Sequence, residues 1–243
     1  MTHRQEMILG QCHLALTLTH RPQFFAGEAV LVQGLMGTDY NWPMQQLFKS
    51  AVSTPPDEDY EDNTLVVYLT RSMQTEAKLK AYARHNVAPA VEVIVKTYHT
   101  FDPEEILDIL ADLEDGTRTC RYLIIEDSAS DRYHGTREQI RKMRSALSPA
   151  GVLFVTSSPM CYTAGQLWRM DPDADEWLPK VAVGGYERQR NVTMEFDIAF
   201  VCAPAVYDPE EEALTCSIVA SKCRGAIPIS REIVNSSYKL TEV

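Results

Sequence analysis

The sequence predicts an α/β domain with a mostly parallel central sheet flanked by helices, and further β strands toward its carboxyl end. Three observations predict it. Short runs rich in Val, Ile, Leu and Phe alternate with longer segments of helical periodicity, which is the pattern of βαβ units. Helix-opening signals, prolines and acidic caps, follow several of those runs. Two late apolar runs, Glu195-Phe-Asp-Ile-Ala-Phe-Val and Leu214-Thr-Cys-Ser-Ile-Val-Ala, have no long helical pattern between them and read as additional strands.

The first strand is Ala29-Val-Leu-Val-Gln, entered from Phe25-Ala-Gly-Glu and left through Gly34. A helix from about residue 43 follows, because proline suits a first turn, where its missing N–H costs nothing. Its inner face is expected to carry Met44, Leu47, Phe48 and Ala51. Thr64-Leu-Val-Val-Tyr-Leu is the second strand, followed by a helix over 73–85 with Met73, Ala77 and Ala81 turned inward at i, i+4 spacing. Leu79 and Tyr82 have no clear side in that pattern. Val91-Glu-Val-Ile-Val is the third strand. The next helix opens at Asp102-Pro103-Glu-Glu, with a cap, a first-turn proline and two glutamates at the positive end of the dipole. Ile106, Leu107, Ile109, Leu110 and Leu113 supply its apolar stripe. Arg121-Tyr-Leu-Ile-Ile-Glu-Asp is a fourth strand ending in carboxylates; a basic helix over Arg137–Leu147 leads to Gly151-Val-Leu-Phe-Val-Thr.

The 243 residues are 45% apolar and 23% charged, ordinary for a globular protein with room for a sizeable core. With no internal repeat and no composition break, residues 1–243 read as one domain, with an N-terminal extension over 1–23 and a solvated, proline-bearing acidic loop over 53–63. No apolar run approaches a membrane span and the N-terminus lacks a signal-peptide pattern, so the expectation is a cytoplasmic protein with no membrane partner. Six cysteines without a C-x-x-C pair signal neither a zinc ribbon nor a redox motif. A net charge of −11 argues against DNA binding by the whole surface, though a local basic groove stays open.

The segment after the first strand carries the main functional signal. A phosphate-binding P-loop needs a strand, a Gly-rich turn, a lysine for the phosphates and a Ser/Thr for magnesium. Gly34-Leu-Met-Gly-Thr-Asp-Tyr-Asn matches the first glycine of G-x-x-x-x-G-K-[ST], but Asp39 stands at the second glycine, Tyr40 at the lysine and Asn41 at the hydroxyl. A cation is lost, an anion is added and a Cβ stands where backbone should approach the ligand. At an effective dielectric near 20, two unit charges about 4 Å apart interact by about 4 kcal/mol, so tight ATP binding is not expected. Gly34, Gly37, Thr38 and Asn41 are the residues of this degenerate loop. Equally open is an ordinary strand-turn-helix that happens to contain a glycine.

Taken in order, the motifs resemble the KaiC-like branch of the RecA-like P-loop superfamily, which includes recombinases, hexameric helicases and the motif-poor accessory subunits of Elongator. Phe25-Ala-Gly-Glu-Ala-Val-Leu-Val-Gln-Gly is similar to that branch's entry into the P-loop, and Met44-Gln-Gln-Leu-Phe to its first helix. Arg121-Tyr-Leu-Ile-Ile-Glu-Asp-Ser resembles a Walker B strand, with Asp127 at the magnesium position and Glu126 beside it. Gly151-Val-Leu-Phe-Val-Thr-Ser-Ser resembles the next strand, whose polar end faces the site. Ser221-Lys-Cys-Arg-Gly resembles a late K-x-R-G, which implies that Lys222 and Arg224 reach a neighbouring subunit's nucleotide, as arginine fingers do; two exposed basic residues on a strand end are the plain alternative. The resemblance spans roughly 24–230. The family's glutamate pair after the second strand is replaced by Thr70-Arg71, so a general base is missing there.

Other constellations carry less. Ser128, Ser130 and His134 lie near Asp127 and Asp131, but without a G-x-S-x-G elbow. The histidines His13, His20, His85 and His99 are too dispersed to suggest a metal site. Arg137, Arg141, Lys142 and Arg144 form one basic helical surface, a candidate for an anionic partner or else a solvated face. The resulting expectation is a non-catalytic pseudo-ATPase. It would need no cofactor and would assemble with itself or with related RecA-like subunits, with nucleic acid as a further candidate partner, in DNA recombination, repair or replication or in RNA modification. Two alternatives remain. One is an active NTPase using ATP and magnesium through Asp127, with Lys222 or Arg224 acting in trans. The other is a monomeric α/β protein of unrelated chemistry.

Overall fold

The structure, a computed structural model, describes residues 6–7, 24–34, 40–56, 63–113, 117–129, 137–159, 192–202, 206–208, 213–223 and 236–239. Strands β1 (Glu6–Met7) and β2 (Phe24–Phe25) form a small antiparallel pair. Then follow β3 (Ala29–Gly34), α1 (Trp42–Ser53), β4 (Asn63–Thr70), α2 (Met73–Asn86), β5 (Val91–Thr97), α3 (Pro103–Leu113) and β6 (Arg118–Ile125). The chain continues through α4 (Arg137–Leu147), β7 (Leu153–Pro159), β8 (Ile198–Cys202), β9 (Val206–Asp208), β10 (Ala213–Cys223) and β11 (Ser236–Lys239).

The main sheet runs β11-β10-β8-β3-β7-β6-β4-β5, with β9 paired to β10. From β8 to β5 all neighbours are parallel; β10 runs antiparallel to β8, β9 and β11. This is the α/β architecture that the alternating pattern predicts, with the added strands where the helical periodicity stops. After β3 the chain passes over the positions of β7 and β6 to reach β4 and then β5, with α1 and α2 on one face; it then turns back through β6 to β7, with α3 and α4 on the other. Right-handed crossovers require that change of face when travel along the sheet reverses.

Successive side chains of a strand point to opposite faces, and here both faces are covered. Val30, Val32, Val66, Tyr68 and Ile124 pack under α1 and α2, while Ala29, Leu31, Leu65, Val67, Leu123 and Ile125 pack under α3 and α4. Met44, Leu47, Phe48 and Ala51 are buried, as the periodicity of α1 predicts. Each large side chain so enclosed contributes about 1.5–3 kcal/mol relative to exposure, and Phe48 adds an edge-to-face contact with Tyr68 at 5.2 Å between centroids.

Helix α2 departs from its predicted facing. Met73 is 80% exposed, and Ala77 and Ala81 are also exposed; the buried residues are Leu79 and Ala83. Burial of Leu79 and Ala83 is joined on the same side by Glu76, whose carboxylate accepts from the Thr97 amide at 2.7 Å on the last residue of β5. Positions 76, 79 and 83 then form the sheet-facing stripe at helical spacing, with Lys80 exposed at its edge. A second difference concerns β8, which begins at Ile198, so that Glu195 and Asp197 precede it as ion-pair acceptors. Residues 57–62, most of the predicted acidic loop, lie outside the described residues, as does 8–23 of the N-terminal extension.

Candidate functional site

In open α/β sheets, ligands bind beyond the carboxyl ends of the strands where the connections diverge to opposite faces. Here β3 departs toward α1 on one face and β6 toward α4 on the other, with β7 between them. Gly34 ends β3 and Tyr40 and Asn41 follow it, Glu126 and Asp127 follow β6, and Ser157 lies near the carboxyl end of β7, so three segments distant in sequence converge.

Tyr40, at the loop's lysine position, is half-buried with its side chain laid against Gly34; a Cβ built on Gly34 would come within 2.0–2.4 Å of Tyr40 Cδ1, Cγ and Cβ. Its hydroxyl donates to Asp127 Oδ1 at 2.8 Å. Asp127 itself has φ 57°, in the left-handed region that Asp tolerates better than most residues. That turn directs its amide to Ser157 Oγ at 2.9 Å, and Ser157 in turn donates to Asn41 Oδ1 at 2.6 Å. Asn41 is the N-cap of α1 but makes no side-chain cap bond. Its amide oxygen is turned to β7 instead. Burial pushes the Asp127 carboxyl above the ordinary range, opposed by the Tyr40 hydroxyl, the nearby Arg71 guanidinium and Asn41.

Behind this cluster Glu126 is 3% exposed. Tyr68 donates to its Oε1 at 2.6 Å and Thr70 Oγ1 to its Oε2, while the Tyr98 hydroxyl donates to its backbone carbonyl. Burial raises the Glu126 pKa most, against the donors Thr70, Tyr68 and Gln45, and the adjacent Asp127 charge raises it further. Arg71 lies over the Tyr98 ring, 4.7 Å from its centroid, and donates to the Tyr98 hydroxyl at 3.2 Å and the His99 carbonyl at 3.0 Å. Hydrogen bonds therefore link the ends of β3, β4, β6 and β7 to one another. Ser157 gives its proton to an amide oxygen, which is not a base, so it is not set up as an activated nucleophile.

Of the residues singled out in the sequence, Gly34, Asn41, Glu126 and Asp127 meet here. Gly37, Thr38 and Asp39 lie outside the described residues, as do Arg224, Ser130, Asp131 and His134. Ser128 is buried and shares a hydroxyl contact with Thr156. Lys222 pairs with Ala199 near the amino end of β8, whereas Ile218 pairs with Cys202 at its carboxyl end; the Lys222 backbone thus lies at the opposite end of the sheet from the crevice. A register shift between Ala220 and Lys222 marks an irregularity there.

The basic residues of α4 are engaged by the protein's own acceptors, although Arg137, Arg141 and Lys142 remain exposed. Arg137 and Arg141 reach Glu195 Oε1 at 2.5 and 2.7 Å. Arg144 donates to the Glu195 carbonyl at 2.6 Å and pairs with Asp197, and Lys142 pairs with Glu104. Asp197 also accepts from the Ala29 amide at 2.9 Å, which ties this cluster to the start of β3. Arg141 holds the Glu195 carboxyl below its ordinary range, with burial opposing and Arg137 helping.

Sequence reasoning passed over Tyr68, Thr70, Tyr98 and Ser157 as site residues. Ser157 had a signal in the polar end of its strand; the tyrosines had none, since nothing local links 68 or 98 to 126. Among the described residues, no helix is long and apolar enough to cross a membrane. No known family model matches the chain, and no curated protein is significantly similar to it, so the site rests on its own geometry.

Proposed function

We propose that the chain is a non-catalytic RecA/KaiC-like subunit, acting as an assembly or nucleic-acid-associated scaffold in a homo- or hetero-oligomer. The order of the parallel strands is compatible with a RecA-like fold. One observation carries the non-catalytic part: the Tyr40 ring rests on Gly34 and its hydroxyl engages Asp127 at 2.8 Å. In the resemblance, that ring stands where a lysine would meet phosphate, and the engaged carboxylate is the one that would hold magnesium. These residues do not fit a magnesium nucleotide. Arg71 following β4, where the family carries glutamates, leaves no base to activate water on that strand.

Lys222 and Arg224 retain, on this reading, a role at a neighbour's site. The backbone of Lys222 at the far end of the sheet from its own crevice favours action in trans over action in cis. The processes that suit such a subunit are DNA recombination, repair or replication, or RNA modification. For direct nucleic-acid contact, Arg137, Arg141 and Arg144 are weakened candidates, because Glu195 and Asp197 already engage their guanidinium groups.

Calorimetric titration with ATP and magnesium tests the reading, with no binding heat as the expected result. Micromolar binding, with turnover lost in Asp127→Ala, would overturn it in favour of an NTPase with an atypical loop. Mass measurement of the intact complex isolated from its source is expected to give an oligomer containing RecA-like subunits; a monomer at high concentration would remove the scaffold role.

A further inference from the structure

Helices on the two faces of the sheet carry opposite charge. Helices α1 and α2, on one face, hold Lys49, Lys78, Lys80 and Arg84 against a single acid, Glu76. On the other face α3 holds Glu104, Glu105, Asp108 and Asp112 and no cation. Its neighbour α4 does not neutralise it: Lys142 pairs with Glu104, while the three arginines are engaged by Glu195 and Asp197. Glu105, Asp108 and Asp112, all exposed, have no ion-pair partner among the described residues.

This arrangement disfavours the helix that carries it. Glu104, Asp108 and Asp112 repeat at i, i+4, a spacing at which like charges repel. Asp112 also stands in the last turn, at the negative end of the dipole. Packing within the chain gains nothing from such a stripe, whereas a cationic surface laid against it relieves the repulsion.

Helix α2 presents that surface. Met73, Ala77, Lys80, Arg84 and Val87 recur at steps of four, three, four and three, and all five are exposed. That spacing forms a seam on which a second helix can pack, and here apolar side chains at both ends enclose two cations. Met73, 80% exposed, and Val87, 41% exposed, are two of the three large apolar residues exposed among the described residues. Lys80 is shared with Glu76 at 2.5 Å, so Arg84 carries the larger part of the available charge. On α3, Glu105, Asp108 and Asp112 follow the same periodicity, at steps of three and four.

We propose that α2 of one molecule packs on α3 of a second copy, with Lys80 and Arg84 meeting Glu105, Asp108 and Asp112. The two patches lie on opposite faces of the sheet, so the contact is heterologous and leaves one patch of each kind open at the ends; copies add until a ring closes or a filament runs on. A nucleic-acid backbone suits the seam less well, because two cations neutralise few phosphates and Met73 and Val87 offer it no bond. The inference rests on the oligomeric scaffold proposed above and gives it a surface.

Sedimentation velocity of the full chain at low salt is expected to show mass growing with protein concentration, and the growth to fade as salt rises and screens the exposed charges. Reversing one patch, by Lys80→Glu with Arg84→Glu or by Asp108→Lys with Asp112→Lys, should weaken association by about tenfold or more. Combining both reversals in one chain, or mixing the two singly reversed chains, should restore it; damage to either helix would not be repaired in that way. An oligomer that ignores both reversals would overturn this contact and leave the scaffold reading standing, whereas a monomer at every concentration and salt would remove both. Loss of single-stranded oligonucleotide binding in Lys80→Glu with Arg84→Glu, at unchanged mass, would assign the seam to nucleic acid instead.

Discussion

The hydroxyl of Tyr40 and the carboxylate of Asp127, 87 residues apart in sequence, meet at 2.8 Å across the carboxyl ends of β3 and β6. The bond joins a loop that resembles a phosphate cradle to a carboxylate that resembles a metal ligand, and it satisfies both from within the chain. Tyr40→Phe removes the donor while keeping the ring. The expected loss is about 1.5–3 kcal/mol by chemical denaturation above neutral pH, the range for a part-buried hydrogen bond to a charged acceptor. A double-mutant cycle with Asp127→Asn should return a coupling of about 1 kcal/mol or more; additive losses would mean that the contact does not hold the crevice closed.

Gly34 is required by the ring above it. Gly34→Ala drives a methyl group against the Cβ, Cγ and Cδ1 of Tyr40, and overpacking of this kind costs about 1–3 kcal/mol. The same substitution in a Tyr40→Gly background should be nearly neutral, since the colliding side-chain atoms, Cβ included, are gone. Equal losses in both backgrounds, measured by thermal or urea unfolding, would point to a demand of the backbone.

Stability should also carry the signature of two buried carboxylates. Burial raises both Glu126 and Asp127, so the folded state holds their protons more tightly than the unfolded chain does. Their contribution is fully present below the ordinary carboxylate range and is lost as pH rises through the raised values. Glu195 acts in the opposite sense: its lowered pKa gives stability above the ordinary range that is lost as pH falls. Glu126→Gln should therefore flatten the decline of unfolding free energy on going from weakly acidic to neutral pH. Urea titrations across that interval decide it; an unchanged slope would contradict the assignment.

The ion pairs of α4 divide sharply by burial. Asp197, with 16% of its side chain exposed, accepts from both Arg144 and the Ala29 amide. Asp197→Ala is expected to cost about 2–4 kcal/mol, because a guanidinium and a backbone donor both lose a charged acceptor. Lys142→Ala, which breaks an exposed pair with Glu104, should change stability by no more than about 0.5 kcal/mol, and less at high salt. Equal effects in denaturation experiments would show that burial is not what separates them.

Local patterns were enough to read most of the framework. The apolar runs at 29–33, 64–69, 91–95, 121–125 and 151–156 all contribute strands, and Asp102 with Pro103 does open α3, where Asp102 Oδ1 accepts from Glu104 N at 2.9 Å. These features depend on side-chain alternation, turn chemistry and first-turn capping, each set within a few residues. The inner faces of α1 and α3 follow from their stripes, since large apolar residues there leave one choice of side. Helix α2, rich in alanine and charge, leaves several, and only in the folded chain do Leu79 and Ala83 turn inward, on the side where Glu76 bonds to Thr97, 21 residues on.

The crevice belongs to the second category. Gly34, Asn41, Glu126 and Asp127 stand out in the chain by motif spacing, yet their partners lie far away: Asn41 meets Ser157 across 116 residues and Glu126 meets Tyr68 across 58. The arginines of α4 likewise read as a basic surface with no partner in view until Glu195 and Asp197, more than 50 residues later, pair with them. Helix and strand periodicity is a property of neighbouring residues, so it survives in one dimension. Which donor meets which acceptor depends on the order in which parallel strands assemble, and that order exists only once the two-faced sheet has formed.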